Sequence, residues 1–219
     1  MGASQQSLAA IALGTPAAAR VFHRYRLDFC CGGQRSLEEA CAAKGLDAEQ
    51  VSAEIAASSA DSSGDEVAGM TDTELTAYIV RRYHAPLREE LPRLVGLARK
   101  VEAVHADKPD CPRGLAEHLS RMSRSIEEHL DKEERILFPM IAAGRGSVAA
   151  MPVRVMMQEH LDHADNLAHL RRLAREFCAP ADACTSWRVL YDALGELELE
   201  LMRHMHLENN ALFPRILMA

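Results

Sequence analysis

Aromatic residues make up only 5% of this 219-residue chain, against 48% hydrophobic residues overall, so its apolar weight lies in aliphatic side chains. Ala and Leu abound, and they lose little rotamer freedom in a helix, so helix is expected over strand. No apolar run reaches the roughly 20 residues that a bilayer-crossing helix needs. No block of Lys or Arg stands out and the formal charge is −7. A basic nucleic-acid surface is therefore not expected. The opening MGASQQSLAAIALG has no basic segment before its apolar stretch, which argues against a secretory signal. Gln6 stands where a myristoylation signal wants Ser or Thr. The six cysteines show no framework spacing, which fits a reducing cytoplasm. Charged residues at 26% beside that apolar fraction give ordinary globular material and exclude a disordered chain.

The chain divides at residues 58–70, SSADSSGDEVAGM, a small, polar, glycine-containing stretch that buries little and reads as a linker. Residues 1–57 are expected to form a small helical domain. Thr15-Pro16 looks like a helix start, with proline at the first helical position, and that helix is expected to run to about Leu27. Ser36 with Glu39 forms a capping box for a second helix that Gly45 ends, and Asp47 with Gln50 starts another. Residues 71–219 read as four long helices. The first starts at the Thr71/Glu74 capping box and runs to about Val104, and the second spans about 114–138. The third spans about 153–177, after a loop marked by Gly144, Gly146 and Pro152. The fourth is capped by Thr185 or Ser186 and ends near Phe213. Short loops between helices of this length make antiparallel neighbours, so the fold class is all-α with an up-down four-helix bundle.

The chemistry lies in an internal repeat. His129-Leu-Asp-Lys-Glu133-Glu-Arg-Ile-Leu-Phe-Pro139 and His204-Met-His-Leu-Glu208-Asn-Asn-Ala-Leu-Phe-Pro214 both read HxxxExxxLFP, 75 residues apart. His84 lies 45 residues before His129, and His160 lies 44 before His204, so each half is a hairpin with one His on its first helix. On the second helix Leu115, Leu119, Met122, Ile126, His129 and Glu133 follow the 4-3-4-3-4 spacing of a bundle seam. Leu190, Leu194, Leu197, Leu201, His204 and Glu208 do the same on the fourth. His84 shares a stripe with Leu87, Leu91 and Leu94, and His160 with Met156, Leu167 and Leu170.

Four imidazoles and two carboxylates are thus expected to face one core. A bare carboxylate there costs several kcal/mol or more unless something compensates it. A lone HxxxE is usually a surface pair and a lone core His is usually hydrogen-bonded, but two register-matched copies with matched upstream histidines point to metal. Imidazole nitrogen with carboxylate oxygen suits iron, and less decisively zinc or manganese. Six ligands exceed one tetrahedral zinc and suit two ions, with His84, His129, His160 and His204 as terminal donors and Glu133 and Glu208 as bridges. His163 shares the face of His160 and reads as a fifth imidazole, an outer-sphere donor, or a hydrogen-bonded core His. His206 points off the seam, and His23, His105, His118 and His169 carry no pattern. The LFP segments read as apolar helix ends with a proline stop.

The constellation resembles the hemerythrin-like di-iron bundle, although oxygen-carrying hemerythrin has five histidines where this chain shows four in register. With Asp28-Phe29-Cys30-Cys31-Gly32-Gly33 ahead of the bundle, nearly the whole chain is similar to the repair-of-iron-centres family, the ScdA, YtfE and NorA-like proteins. That resemblance implies a non-haem, oxo- and carboxylate-bridged di-iron centre on the six residues named. It also implies repair of iron–sulfur clusters damaged by nitric oxide or oxidants, damaged iron–sulfur proteins as partners, and nitric oxide or dioxygen as small ligands. By themselves, Cys30 and Cys31 read either as small apolar packers or as redox thiols or iron ligands on a glycine-loosened turn. Adjacent cysteines close a disulfide only with strain. Three functions follow as expectations: iron donation to damaged clusters, a di-iron nitric oxide reductase with Cys30 and Cys31 relaying electrons, and a gas sensor with the N-terminal part as output. A homodimer is left open.

Overall fold

The computed structural model describes residues 5–58 and 67–218. Most of the expected linker, residues 59–66, lies outside them; Val67–Gly69 form a single 3-10 turn. Among the described residues the elements are helical, apart from one antiparallel bridge between Ser7 and Ser36. No helix among them is long and apolar enough to cross a membrane.

Four short helices come first: α1 (Leu8–Gly14), α2 (Ala18–Tyr25), α3 (Leu37–Ala42) and α4 (Ala48–Ser58). The Ser7 hydroxyl caps α1, and the Ser36/Glu39 capping box starts α3 as the sequence predicts. The helix expected from Thr15-Pro16 begins later and ends earlier. Thr15 offers its carbonyl, not its hydroxyl, to the Ala18 amide, and Arg26 closes α2 in the left-handed conformation at φ 56°. Leu8, Phe22, Leu27, Phe29, Leu37 and Val51 make the local core, joined by Leu199 from the bundle.

The bundle has four rods. The first is α5 (Asp72–Ile79), a π turn at Val80–His84, and α6 (Ala85–Val104). The second is α7 (Leu115–Lys132), a π turn at Glu133–Leu137, and α8 (Phe138–Ala142). The third is α9 (Gly146–Leu173); the fourth is α10 (Thr185–Leu207), a π turn at Glu208–Leu212, and α11 (Phe213–Met218). Every seam position predicted from the 4-3 spacing is buried. The LFP segments are not helix stops. Both rods run through Pro139 and Pro214, and the first runs through Pro86 in the same way. Proline lacks an N–H and clashes with the carbonyl four residues back. In all three rods a π turn ends two residues before the proline, and the intervening residue donates five residues back: Ala85 to Val80, Phe138 to Glu133, Phe213 to Glu208. The wider turn accommodates the proline, and it does so at the sequence positions of His84, Glu133 and Glu208. Two boundaries also move. Gly146 and Pro152 belong to α9 rather than to the loop before it, and Cys184 takes the N-cap position of α10 without a side-chain hydrogen bond to it.

A buried ionic joint holds the N-terminal helices to the bundle. His23 Nε2 meets Glu198 Oε2 at 2.6 Å, and Arg171 from α9 also pairs with Glu198, which is 5% exposed. Burial raises the Glu198 carboxyl, but the hydrogen bonds from His23 and Arg171 outweigh it and hold the group below its ordinary value of 4.5. Stability from this carboxylate is present above that value and lost as pH falls through the depressed folded one. Glu198→Gln should therefore cost about 2 kcal/mol near neutral pH, because it leaves the half-buried Arg171 guanidinium without its counter-charge. Urea unfolding should show the gap to wild type closing as pH is lowered well below about 4.5. A gap independent of pH would show that the charge is not what stabilises the joint.

Candidate metal centre

The structure brings all six predicted residues together. His84, Glu133, His160, His204 and Glu208 are fully buried, and His129 is 1% exposed. Their donor atoms form two groups, each with all ligand atoms within 4.8 Å: His84, Glu133, His204 and Glu208, and then His129, Glu133, His160 and Glu208. The carboxylates belong to both. Glu133 turns Oε2 toward His84 Nε2 and Oε1 toward His129 Nε2, both at 3.5 Å. Glu208 places Oε1 2.9 Å from His204 Nε2 and Oε2 3.1 Å from His160 Nε2. One oxygen of each carboxylate therefore serves each imidazole pair, which is how a carboxylate bridges two ions.

The donor set fits metal on two further observations. Both oxygens of Glu133 are buried without a hydrogen-bond partner, an expensive state for a carboxylate unless a cation sits between its neighbours. The paired nitrogens also have a telling separation: His84 and His204 Nε2 are 3.0 Å apart, and His129 and His160 Nε2 are 3.1 Å apart. Two donors about 2.1 Å from one ion lie ~3.0 Å apart at a right angle and ~3.4 Å apart at a tetrahedral angle. Both separations fall within the range of two donors on one ion.

Electrostatics without metal point the same way. Burial and the neighbouring Glu208 push the Glu133 carboxyl well up. Burial also raises Glu208, but His204, His160 and His84 outweigh it and hold that carboxyl well down. Burial lowers the His129 and His204 imidazoles, so both offer lone pairs at neutral pH. Cations would counter the burial that disfavours the Glu133 anion and would use both carboxylates as anions.

Outside the donors lies a shell that sequence reasoning missed. His84 Nδ1 meets Glu134 Oε1 at 2.9 Å, His129 Nδ1 meets Glu159 Oε2 at 2.9 Å, and His160 Nδ1 meets Asn209 Oδ1 at 2.8 Å. Such partners fix the ring and leave Nε2 for the ion. Glu134 and Asn209 stand at equivalent repeat positions directly after the bridging glutamates, a signal the repeat carried. Glu159 comes from α9 and had no local signal. Phe138 stacks on His84 and Phe213 on His160, with ring centroids 5.7 and 5.8 Å apart. The LFP phenylalanines thus wall the centre.

The other candidates fall around it. His163 is 2% exposed, stands edge-on to His129 at 4.9 Å, and has no hydrogen-bond partner on either nitrogen. Burial lowers it to about 4, so it is neutral at neutral pH, and it lies outside both donor groups. His206 points off the seam as expected and meets the Phe29 carbonyl at 3.1 Å. Cys30 and Cys31 lie against the centre, their sulfurs 3.7 Å apart, and Cys31 Sγ reaches the His160 carbonyl at 3.8 Å. The hydrogen bond to Cys31, then burial, push the Cys30 thiol well up. Cys31, half-buried, is the more accessible of the two. With Asp28 they make a third group of possible metal donors, although the Asp28 carboxylate already accepts the amides of Cys30, Cys31 and Gly32.

Comparison with known proteins places this geometry among relatives. Residues 75–216 match the Hemerythrin HHE cation binding domain, and residues 4–59 match ScdA_N, a domain of unknown function (DUF542). The chain is 44% identical over 216 residues to the iron-sulfur cluster repair protein YtfE of Musicola paradisiaca, covering 97% of this chain and 96% of the relative. It is 44% identical over 213 residues to the protein of that name from Yersinia pseudotuberculosis, with the same coverage. Over 220 residues it is 42% identical to the Pectobacterium atrosepticum protein, covering 99% of both chains.

Proposed function

Because the chain belongs to the hemerythrin-like family of iron–sulfur cluster repair proteins, we propose that it holds two iron ions and donates iron to iron–sulfur clusters damaged by nitric oxide or oxidants. The observation that carries the reading is the sharing of Glu133 and Glu208 between two imidazole pairs. His84 and His204 would hold one ion and His129 and His160 the other, with Glu133 and Glu208 bridging. The bound irons would be both the resident centre and the cargo, with nitric oxide or dioxygen as small ligands.

The chain's own residues define how such iron is kept and released. Imidazoles are neutral donors, so four of them and two shared carboxylates compensate two divalent ions only partly; a carboxylate-rich site would grip harder. Phe138 and Phe213 keep water from the rings they cover. Residues 1–57 would act as one unit that presents Cys30 and Cys31 beside the centre, with Cys31 as the redox or iron-accepting thiol, and 71–219 as the iron-holding unit. The six cysteines are free thiols, a state that suits the cytoplasm.

The test uses a cluster enzyme inactivated by nitric oxide. Iron-loaded protein should restore its activity, with iron from an isotope-labelled centre recovered in the cluster. Equal restoration by metal-free protein would end the iron-donor reading. The adjacency of the two donor groups also favours a second reading, reduction of paired nitric oxide. Nitrous oxide formed over many turnovers by the reduced protein, without iron transfer, would select it.

A further inference from the structure

The two halves of the repeat differ where they support the metal-facing histidines. Glu134 and Asn209 occupy equivalent positions 75 residues apart, and each receives the Nδ1 of a metal-facing His, His84 or His160. A carboxylate is an anionic acceptor only; a carboxamide is neutral and has a donor end as well. Glu134 also accepts from Arg88, on the same oxygen, at 3.2 Å. Asn209 turns its Nδ2 to the N-terminal unit, donating to the Cys30 carbonyl at 3.1 Å and reaching Cys31 Sγ at 3.7 Å. The Cys31 thiol in turn donates to the main-chain carbonyl of His160 at 3.8 Å. Cys31 thus contacts the residue that holds His160 and His160 itself, while among the described residues no such hydrogen-bonded path runs from the cysteine turn to His84. Asn210 reinforces the contact with its own Nδ2 on the Cys30 carbonyl, at 3.1 Å.

We propose that Asn209 is a positioning residue that couples the Cys30–Cys31 turn to His160, so that iron held by His129 and His160 is released in response to the state of Cys31. The proposal rests on the two-iron reading. Its physical basis is donor strength. An anionic partner on Nδ1 makes the opposite ring nitrogen a stronger metal donor than a neutral amide does. The amide therefore leaves His160 a weaker donor and lets a change at Cys31 shift the group that orients the ring. A glutamate at 209 could not do this, because it has no donor for the Cys30 carbonyl or the thiol.

The experiment follows transfer of ferrous iron from full-length loaded protein to a colorimetric chelator, without oxygen. Two release phases of one iron each are expected. Cys31→Ser should change the rate of one phase at least threefold and leave the other unaltered. Asn209→Asp keeps an acceptor for His160, adds charge and removes the donor toward the cysteines. It should slow that same phase about tenfold, in the range typical of outer partners of metal ligands, and weaken its dependence on Cys31 to what the direct contact with the His160 carbonyl carries. Asn209→Ala, with no acceptor, should speed it. A residue needed only for packing would move both substitutions in the same direction. Two irons released at rates that ignore Cys31, or an equal Cys31 effect in wild type and Asn209→Asp, would overturn the coupling and leave the two-iron centre standing. One iron per chain would overturn both.

Discussion

Glu133→Ala and Glu208→Ala should each remove both ions, lowering iron affinity by at least about a hundredfold. Outer partners of metal ligands already account for ten- to a hundredfold, and each of these carboxylates places oxygens toward both imidazole pairs. Iron per chain after gel filtration, read against His84→Ala, checks this. The histidine substitution strips a donor from one pair only and should leave about half the iron. The two glutamates should differ once metal is absent. Burial and Glu208 push the Glu133 carboxyl up, so the fold disfavours its anion and its loss costs mainly a cavity. Glu208 is held ionised by three imidazoles, so its loss removes the charge those rings surround. Metal-free Glu208→Ala should therefore melt below metal-free Glu133→Ala, while both bind iron equally poorly. Equal melting would refute the opposite directions in which the fold shifts the two carboxyls. Retention of two irons by either variant would refute the bridging geometry.

Gly33→Ala should be among the most damaging single-methyl changes in the molecule. A Cβ there would lie 2.4 Å from the Phe29 carbonyl oxygen and 3.0 Å from the Ala9 side chain. Neither can yield cheaply. Phe29 is fully buried between Phe22 and His206, and its carbonyl meets the His206 ring. The Gly33 carbonyl itself accepts the Ala9 amide at 2.8 Å. The turn carrying Cys30 and Cys31 must open, at a cost on the order of 3 kcal/mol, the upper end of ordinary overpacking. The urea midpoint should fall accordingly, and hydrogen exchange should rise first in residues 8–37, while the bundle keeps its iron. An unchanged midpoint would mean that the turn is looser than its contacts indicate. Gly14, by contrast, has open space around it, and Gly14→Ala is the matched control.

How far these residues could be read beforehand depended on the range of the force that places them. The all-α class, the four rods and the six converging donors followed from local periodicity. A helix turns its residues by a fixed angle, so a His and a Glu that continue a stripe of leucines share its burial wherever the helix packs. The Ser36 and Thr71 capping boxes were legible for the same reason, since each closes within four residues. The prolines were misread because proline alone does signal a stop; the π turns that accommodate it form only where tertiary packing keeps the rod going. Cys30 and Cys31 could be named from the sequence but not ranked. Their burial and their contact with His160 depend on how the N-terminal unit sits on α10.

The sequence by itself determined which side chains face the core and that two hairpins repeat, because both are properties of one helix and of residue spacing. Only the tertiary structure decided which imidazoles pair, that each carboxylate divides its oxygens between them, and that Glu159 and Asn209 stand behind His129 and His160. Those contacts depend on the rotation and axial offset of neighbouring helices, which are set by side-chain packing across the whole core. A shift of one residue's rise, about 1.5 Å, would break every one of them while leaving each helix's own pattern intact.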